Sequence, residues 1–249
     1  MLKLSSLSVG YGKTSVLKNV SLDFKEGTLT TIVGPNGSGK STLLKTALGL
    51  LPPIEGRVLL DDRPLSEMGR TEIAQRISYL AQSKDTPDMT VRQAVLHGRF
   101  PHLSYPRFYR ERDRAIARSA MEKMGVLAYA DTPLSFLSGG ERQNAYIAMA
   151  LAQDTGMLLL DEPTSFLDVR HAHTLLKTLK TLAEEGRAVV LVMHDLPLAF
   201  TFADRVAVFG NGGLLAFDAP ARVQASDAVR QAFGVDLFYS ETAGYHYRY

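Results

Sequence analysis

The chain has 249 residues, of which 45% are hydrophobic, with 28 basic against 26 acidic side chains and no cysteine. That length and apolar content suit a sizeable core, in one large domain or two lobes. The missing cysteines exclude disulfides and thiolate metal sites, and the near-balanced charge gives no reason to invoke nucleic acid. Arg107, Arg110, Arg112, Arg114 and Arg118 cluster, but Glu111, Asp113 and Glu122 interrupt them, so a solvated helix face is expected there. The longest apolar runs, residues 157–160 and 188–193, are strand-sized and far below the roughly 20 residues of a membrane-spanning helix. No basic-then-apolar leader opens the sequence, so a soluble, cytoplasmic protein is expected.

In chain order, residues 2–9 alternate apolar and polar, residues 21–24 repeat the pattern, and residues 29–33 form a β-branched run ending at Gly34. Helical spacing follows over residues 40–51, stopping at Pro52-Pro53. Residues 77–80 predict a short strand, and residues 91–124 a helical segment broken at Pro101 and Pro106. Strand and helix then alternate: strands over 157–160, 188–193 and 205–209, helices over 169–185 and 196–202. This alternation predicts a largely parallel, buried sheet. Residues 210–213 predict a turn into an antiparallel strand at 214–217.

Gly34-Pro35-Asn36-Gly37-Ser38-Gly39-Lys40-Ser41-Thr42 matches G-x-x-x-x-G-K-[ST] between an expected strand and helix, the context this motif requires. Gly37 and Gly39 let the backbone fold around an anion, so that successive N–H groups form a nest. The helix aims its positive end at the same place, Lys40 reaches β/γ-phosphate oxygens, and Ser41 is placed to ligate Mg²⁺. Further on, the strand 157–160 delivers Asp161 and Glu162 to its carboxyl end. Asp161 is suited to hold the magnesium through water, and Glu162 to polarise an attacking water. His194 follows the strand 188–193 at the same edge of the sheet, where a neutral imidazole donates to charge developing on a phosphate.

Leu137-Ser138-Gly139-Gly140-Glu141-Arg142-Gln143 reads as a tight turn opening a helix, a second candidate anion site. With the motifs above, in their order and spacing, the chain resembles the ABC transporter ATPase family from Leu2 to about Pro220. The resemblance implies one ABC ATPase domain over 1–249, an α/β P-loop NTPase cassette. Its RecA-like core and antiparallel β subdomain would occupy 1–84 and 156–249, and its helical subdomain, with the signature, 85–155.

The resemblance also implies roles. Tyr11 would stack on adenine, and Gln82 would touch Mg²⁺ and the attacking water beside Glu162, His194 and Lys40. Ser165-Phe166-Leu167-Asp168 would be the D-loop that crosses between subunits. Two copies would pair head to tail, with Leu137, Ser138, Gly139, Gly140, Glu141 and Gln143 of one closing on the ATP held by the other. Two permease subunits would dock, through residues 82–103, at the cytoplasmic face of the membrane, served by an extracytoplasmic substrate-binding protein.

The segments Thr90-Val91-Arg92 to Leu103 and Ala148 to Thr164 resemble ATPases of importers for iron–siderophores, haem and vitamin B12. Asn144 departs from the basic residue common after the signature glutamine. The alternatives are a soluble non-transport ABC ATPase of the iron–sulfur assembly type and an exporter ATPase; the segment after Gln82 argues against both. No function follows for the tyrosine-rich tail, residues 236–249.

Overall fold

The computed structural model describes residues 1–12, 14–82, 86–165 and 167–248, with Arg248 by its backbone only. Phe166, Tyr249 and residues 83–85 of the expected permease-docking segment lie outside the described residues. In chain order the elements are β1 (Leu2–Tyr11), β2 (Thr14–Phe24), β3 (Leu29–Val33), α1 (Lys40–Ala47), β4 (Glu55–Leu60) and β5 (Arg63–Pro64). Next come α2 (Arg70–Ala74), β6 (Ile77–Leu80), α3 (Val91–His97), α4 (Glu111–Lys123), α5 (Gly139–Ala152), β7 (Met157–Asp161) and α6 (Val169–Glu184). Then follow β8 (Ala188–Val192), α7 (Leu196–Phe202), β9 (Arg205–Gly210), β10 (Gly213–Asp218), α8 (Pro220–Gln224), α9 (Ala228–Phe233), β11 (Asp236–Ser240) and β12 (Gly244–Arg248).

The chain divides into two compact units, Met1–Met68 with Leu179–Tyr249, and Gly69–Thr178. In the first, β2-β1-β4-β5 form an antiparallel sheet, and β10-β9-β3-β8 lie side by side in that order. Here β3 pairs parallel with both β8 and β9, as Ile32↔Val192 and Ile32↔Ala207. Every residue of β3 and β8 is buried, which is why both strands are continuous apolar or β-branched runs rather than alternating ones. β1 does alternate at first, burying Leu2 and Leu4 and exposing Lys3. A register shift between Leu4 and Leu7, with Ser6 at φ 47°, then keeps Leu7 and Val9 facing the core.

The second unit holds the parallel pair β6–β7, from Ile77↔Met157 to Leu80↔Leu160, together with α2 to α5 and most of α6. Helix α5 buries Ala145, Ile147, Ala148, Ala150, Leu151 and Ala152, and the four alanines admit close neighbours. Gly98 at the end of α3 is one of them: a Cβ there would lie 2.1 Å from the Met149 carbonyl oxygen, so only glycine fits. The helical segment expected over 85–155 lies inside this unit.

Two expectations need correction, and the tail, for which none was made, takes a definite form. Helix α1 ends at Ala47 rather than at the prolines, because Gly49 takes φ 69° and the Leu50 N–H turns back to the Lys45 carbonyl. The strand expected at 21–24 is the end of an 11-residue strand, β2, whose mixed exposure hides its period. The tail forms a hairpin with Tyr239↔Tyr245 paired near its turn, and the Tyr245 ring packs 5.4 Å from that of Phe200 in α7. The turn at 210–213 and the antiparallel β9–β10 pair are as expected, with Asn211 and Gly212 at φ 50° and 76°.

Candidate functional site

In the first unit the chain leaves β3 and wraps through residues 34–42 into α1. Gly37 and Gly39 hold φ 78° and 93°, the left-handed backbone the turn demands. Gly39 has a second constraint, since a Cβ there would meet Val16 and Leu17 of β2 at 2.8 Å. The loop therefore rests on the β1–β2 hairpin whose tip carries Tyr11, a ring more than half exposed. Helix α1 has no side-chain cap and no acidic residue in its first turn, so its leading N–H groups stay available. Lys40 is buried and donates to the carbonyls of Gly34 (2.8 Å) and Pro35 (2.9 Å), which holds its ammonium within the loop. The Ser38 hydroxyl is buried without a hydrogen-bond partner, an orphaned donor in a cradle of donors. Because β8 runs parallel beside β3, His194 leaves the sheet at the same edge as this loop, exposed and just before Asp195 caps α7.

In the second unit the register of β6 and β7 sets two side chains against each other. Gln82 and Glu162 each stand two residues past the paired Leu80 and Leu160, and Gln82 Nε2 donates to Glu162 Oε2 at 2.7 Å. Ser165 Oγ donates to the same oxygen at 3.1 Å. Glu162 sits at φ 55°, an uncommon backbone for a side chain of this size, and such strain gathers at functional sites. Asp161 ends β7 and is buried. Tyr79 in β6 has a buried hydroxyl without a partner, and burial, with the Asp161 charge second, pushes its pKa up to about 12.

The turn at 138–141 lies in the same unit. Ser138 caps α5, accepting from the Glu141 N–H at 3.3 Å. Glu141 Oε2 in turn takes the Ser138 N–H (2.9 Å) and hydroxyl (2.7 Å), a complete capping box. Those bonds, the Ser138 hydroxyl first and the Tyr129 hydroxyl next, hold the Glu141 carboxyl below its ordinary range. Leu137 is buried, and Gln143 Nε2 donates to the Pro163 carbonyl at 3.1 Å. Leu167 lies against Gly140, where a Cβ would come within 3.3 Å of it. Asp168 caps α6 by accepting from the His171 N–H and Nδ1, both at 2.8 Å. Ser138, Gly139, Gly140, Leu167, Asp168 and His171 thus share the wall of a cavity of about 840 Å³.

Sequence reasoning missed Tyr79, His171 and the buried Arg99–Asp113 pair, whose atoms lie 3.1 Å apart. His171 had a usable signal, a residue three positions after an aspartate at a helix start. The other two had none, because a tyrosine in a strand and an arginine between helices read as surface residues.

A model of the ABC transporter family matches residues 17–165 of the chain. The chain is 39% identical over 236 residues to the ferric enterobactin transport ATP-binding protein FepC of Escherichia coli, covering 94% of this chain and 87% of that protein. It is 40% identical over 234 residues to the hemin import ATP-binding protein HmuV of Rhodococcus jostii, covering 94% and 80%. Among solved structures it is similar to a metal-chelate type ABC transporter in an inward-facing conformation, with TM-score 0.85, 25% identity and coverage of 100% of this chain and 97% of that one. The chain belongs to the ABC transporter family.

Proposed function

We propose that this ABC ATPase energises uptake of an iron complex (siderophore or haem) or of cobalamin through a membrane permease. The observation that carries the catalytic half is the Glu162 carboxylate, held at φ 55° with Gln82 and Ser165 on one oxygen. The imports named for FepC and HmuV support the transport half.

The residues divide the work. The 34–42 loop and Lys40 bind the phosphates, the fit being the uncapped α1 start and the orphaned Ser38 hydroxyl. Tyr11 offers a ring face for adenine to stack on. Glu162 takes a proton from water as the water oxygen bonds to the γ-phosphorus; the γ-phosphorus–oxygen bond to ADP breaks, its electron pair leaving with ADP. His194 donates to the γ-phosphate as charge builds, and Gln82 orients the water. Ser41, Gln82 and, through water, Asp161 would hold Mg²⁺, a hard oxygen donor set; Gln82 Nε2 is spent on Glu162, so its Oε1 is the atom suited to a cation. Bound there, the ion would neutralise phosphate charge.

The signature, Leu137 to Glu141 with Gln143, and the D-loop residues Ser165, Leu167 and Asp168 serve a second copy's ATP, making the working form an ATP-dependent homodimer. The whole chain acts as one cassette with residues 85–155 as its helical subdomain. Among the described residues no helix is long and apolar enough to cross a membrane. Residues 82–103 dock two permease subunits at the cytoplasmic face of the membrane, and an extracytoplasmic binding protein supplies cargo.

The test is a tagged cassette purified from its own membranes and assayed, with the proteins it brings down, in vesicles. A multi-span permease should be recovered, with ATP-dependent accumulation of a ferric siderophore, haem or cobalamin. Recovery of a soluble scaffold alone would reject the transport reading.

A further inference from the structure

The stretch joining α3 to α4 holds a pocket that the ATP chemistry leaves unused. It encloses about 410 Å³ and is lined by Arg99, His102, Tyr105, Phe108, Arg110 and Arg112, among others. Arg99 is only 4% exposed; its Nε donates to Asp113 Oδ1 (3.1 Å) and its Nη1 to the Ala152 carbonyl (2.9 Å). Arg99 lines the pocket, and its Nη2 makes no hydrogen bond among the described residues. A guanidinium buried this deeply is costly unless its remaining donors meet an acceptor.

The pocket's own acid is already spent. Asp113 gives Oδ1 to Arg99 and Oδ2 to the Arg110 N–H (2.9 Å). Burial works to raise its pKa, but those two partners hold the carboxyl below the usual range. His102 is committed through Nε2 to the Gln153 carbonyl at 2.7 Å. Arg110 and Arg112 make no ion pair among the described residues, which leaves two unpaired guanidinium groups in the lining beside the free Nη2 donor of Arg99. The rim is aromatic and bare, with Tyr105 95% and Phe108 73% exposed. Large apolar side chains so fully in water beside unpaired arginines mark a surface built to be covered.

We propose that this pocket recognises an acidic side chain on the permease. The carboxylate enters between Arg110 and Arg112 to reach Arg99 Nη2, and its apolar neighbours cover Tyr105 and Phe108. The proposal rests on the importer reading and extends the docking surface past residue 103 to Arg112. A free phosphate would satisfy the arginines and leave the aromatic rim in water. A bilayer surface would meet the rim but is too flat to reach a guanidinium at the pocket floor. A loop carrying Asp or Glu among apolar residues does both.

The experiment reverses the two exposed charges, Arg110→Glu with Arg112→Glu, in the tagged cassette expressed with its permease. ATP turnover and melting temperature of the isolated cassette should stay at wild-type values, while permease recovery falls by about tenfold or more. Wild-type recovery should weaken steeply with salt. Phe108→Ser, a second surface variant that leaves the charges alone, should lower recovery by about threefold. Undiminished recovery by both variants overturns the pocket while leaving the importer reading intact. If the wild-type cassette recovers no permease, both fail. Binding of the wild-type cassette to phosphatidylglycerol vesicles without permease, abolished by the double reversal, assigns the patch to lipid and overturns the proposal.

Discussion

The chain contains two glycine-rich turns that open helices, and they are built to opposite ends. At residues 34–42 the turn is held open: Gly39 takes φ 93° at the α1 start, no side chain caps that start, and no acid stands in its first turn. At residues 138–141 the turn is closed on itself, with Ser138 and Glu141 satisfying each other's N–H groups at the α5 start. A helix start with free N–H groups and a lysine binds an anion unaided. A start that already owns a carboxylate must give up part of its cap, or share it, before an outside phosphate gains much. The difference suits the first turn to nucleotide capture and, under the homodimer proposed above, the second to a late, conditional contact.

The largest effect that sharpens this contrast lies downstream of both turns. Glu162→Gln keeps the size and the Ser165 contact but loses the base, so turnover should fall by about a thousandfold. ATP affinity should hold, because neither turn is touched, and the variant should run as a dimer on a sizing column with saturating ATP. A monomer under those conditions would break the link between the two turns. Next in size is Lys40→Ala, which removes a buried ammonium bound to two carbonyls of the open turn. ATP affinity by titration calorimetry should drop about a hundredfold, the scale of one or two charge-assisted hydrogen bonds. Near-normal affinity would mean the open turn does not bind unaided.

The open turn was legible in the sequence because its constraints are local: glycines at left-handed positions, a lysine, a strand before and a helix after. Glu162, Asp161 and Gln82 were legible as residues, but their grouping came only through the family resemblance, since the Gln82–Glu162 bond depends on the β6–β7 register, across 80 positions of chain. The self-capping of the closed turn is a local serine–glutamate pattern and was open to be read as such. Arg99 was opaque for the opposite reason: its burial comes from Asp113 and the Ala152 carbonyl, partners set only by helix packing. In the fold, buried parallel strands announced themselves as apolar runs. The β2 strand and the β11–β12 hairpin, half in solvent, had no such period to show.

The smallest effect probes the cap itself. Glu141 has its carboxyl held below the ordinary range by the Ser138 and Tyr129 hydroxyls and the Ser138 N–H. A depressed folded-state value means that its contribution is present above the unfolded carboxylate pKa and is lost as pH falls through the folded value. Hydrogen exchange at the first-turn amides of α5 should therefore stay slow at neutral pH and quicken, after correction for intrinsic rates, only at pH below the ordinary glutamate range. Glu141→Gln should remove that pH dependence and change first-turn protection by a few-fold at most, since the Ser138 cap remains. Exchange at the α1 start, which owns no acid, should show no matching transition. If both helix starts respond to acid alike, the closed and open turns do not differ in the way the capping geometry requires.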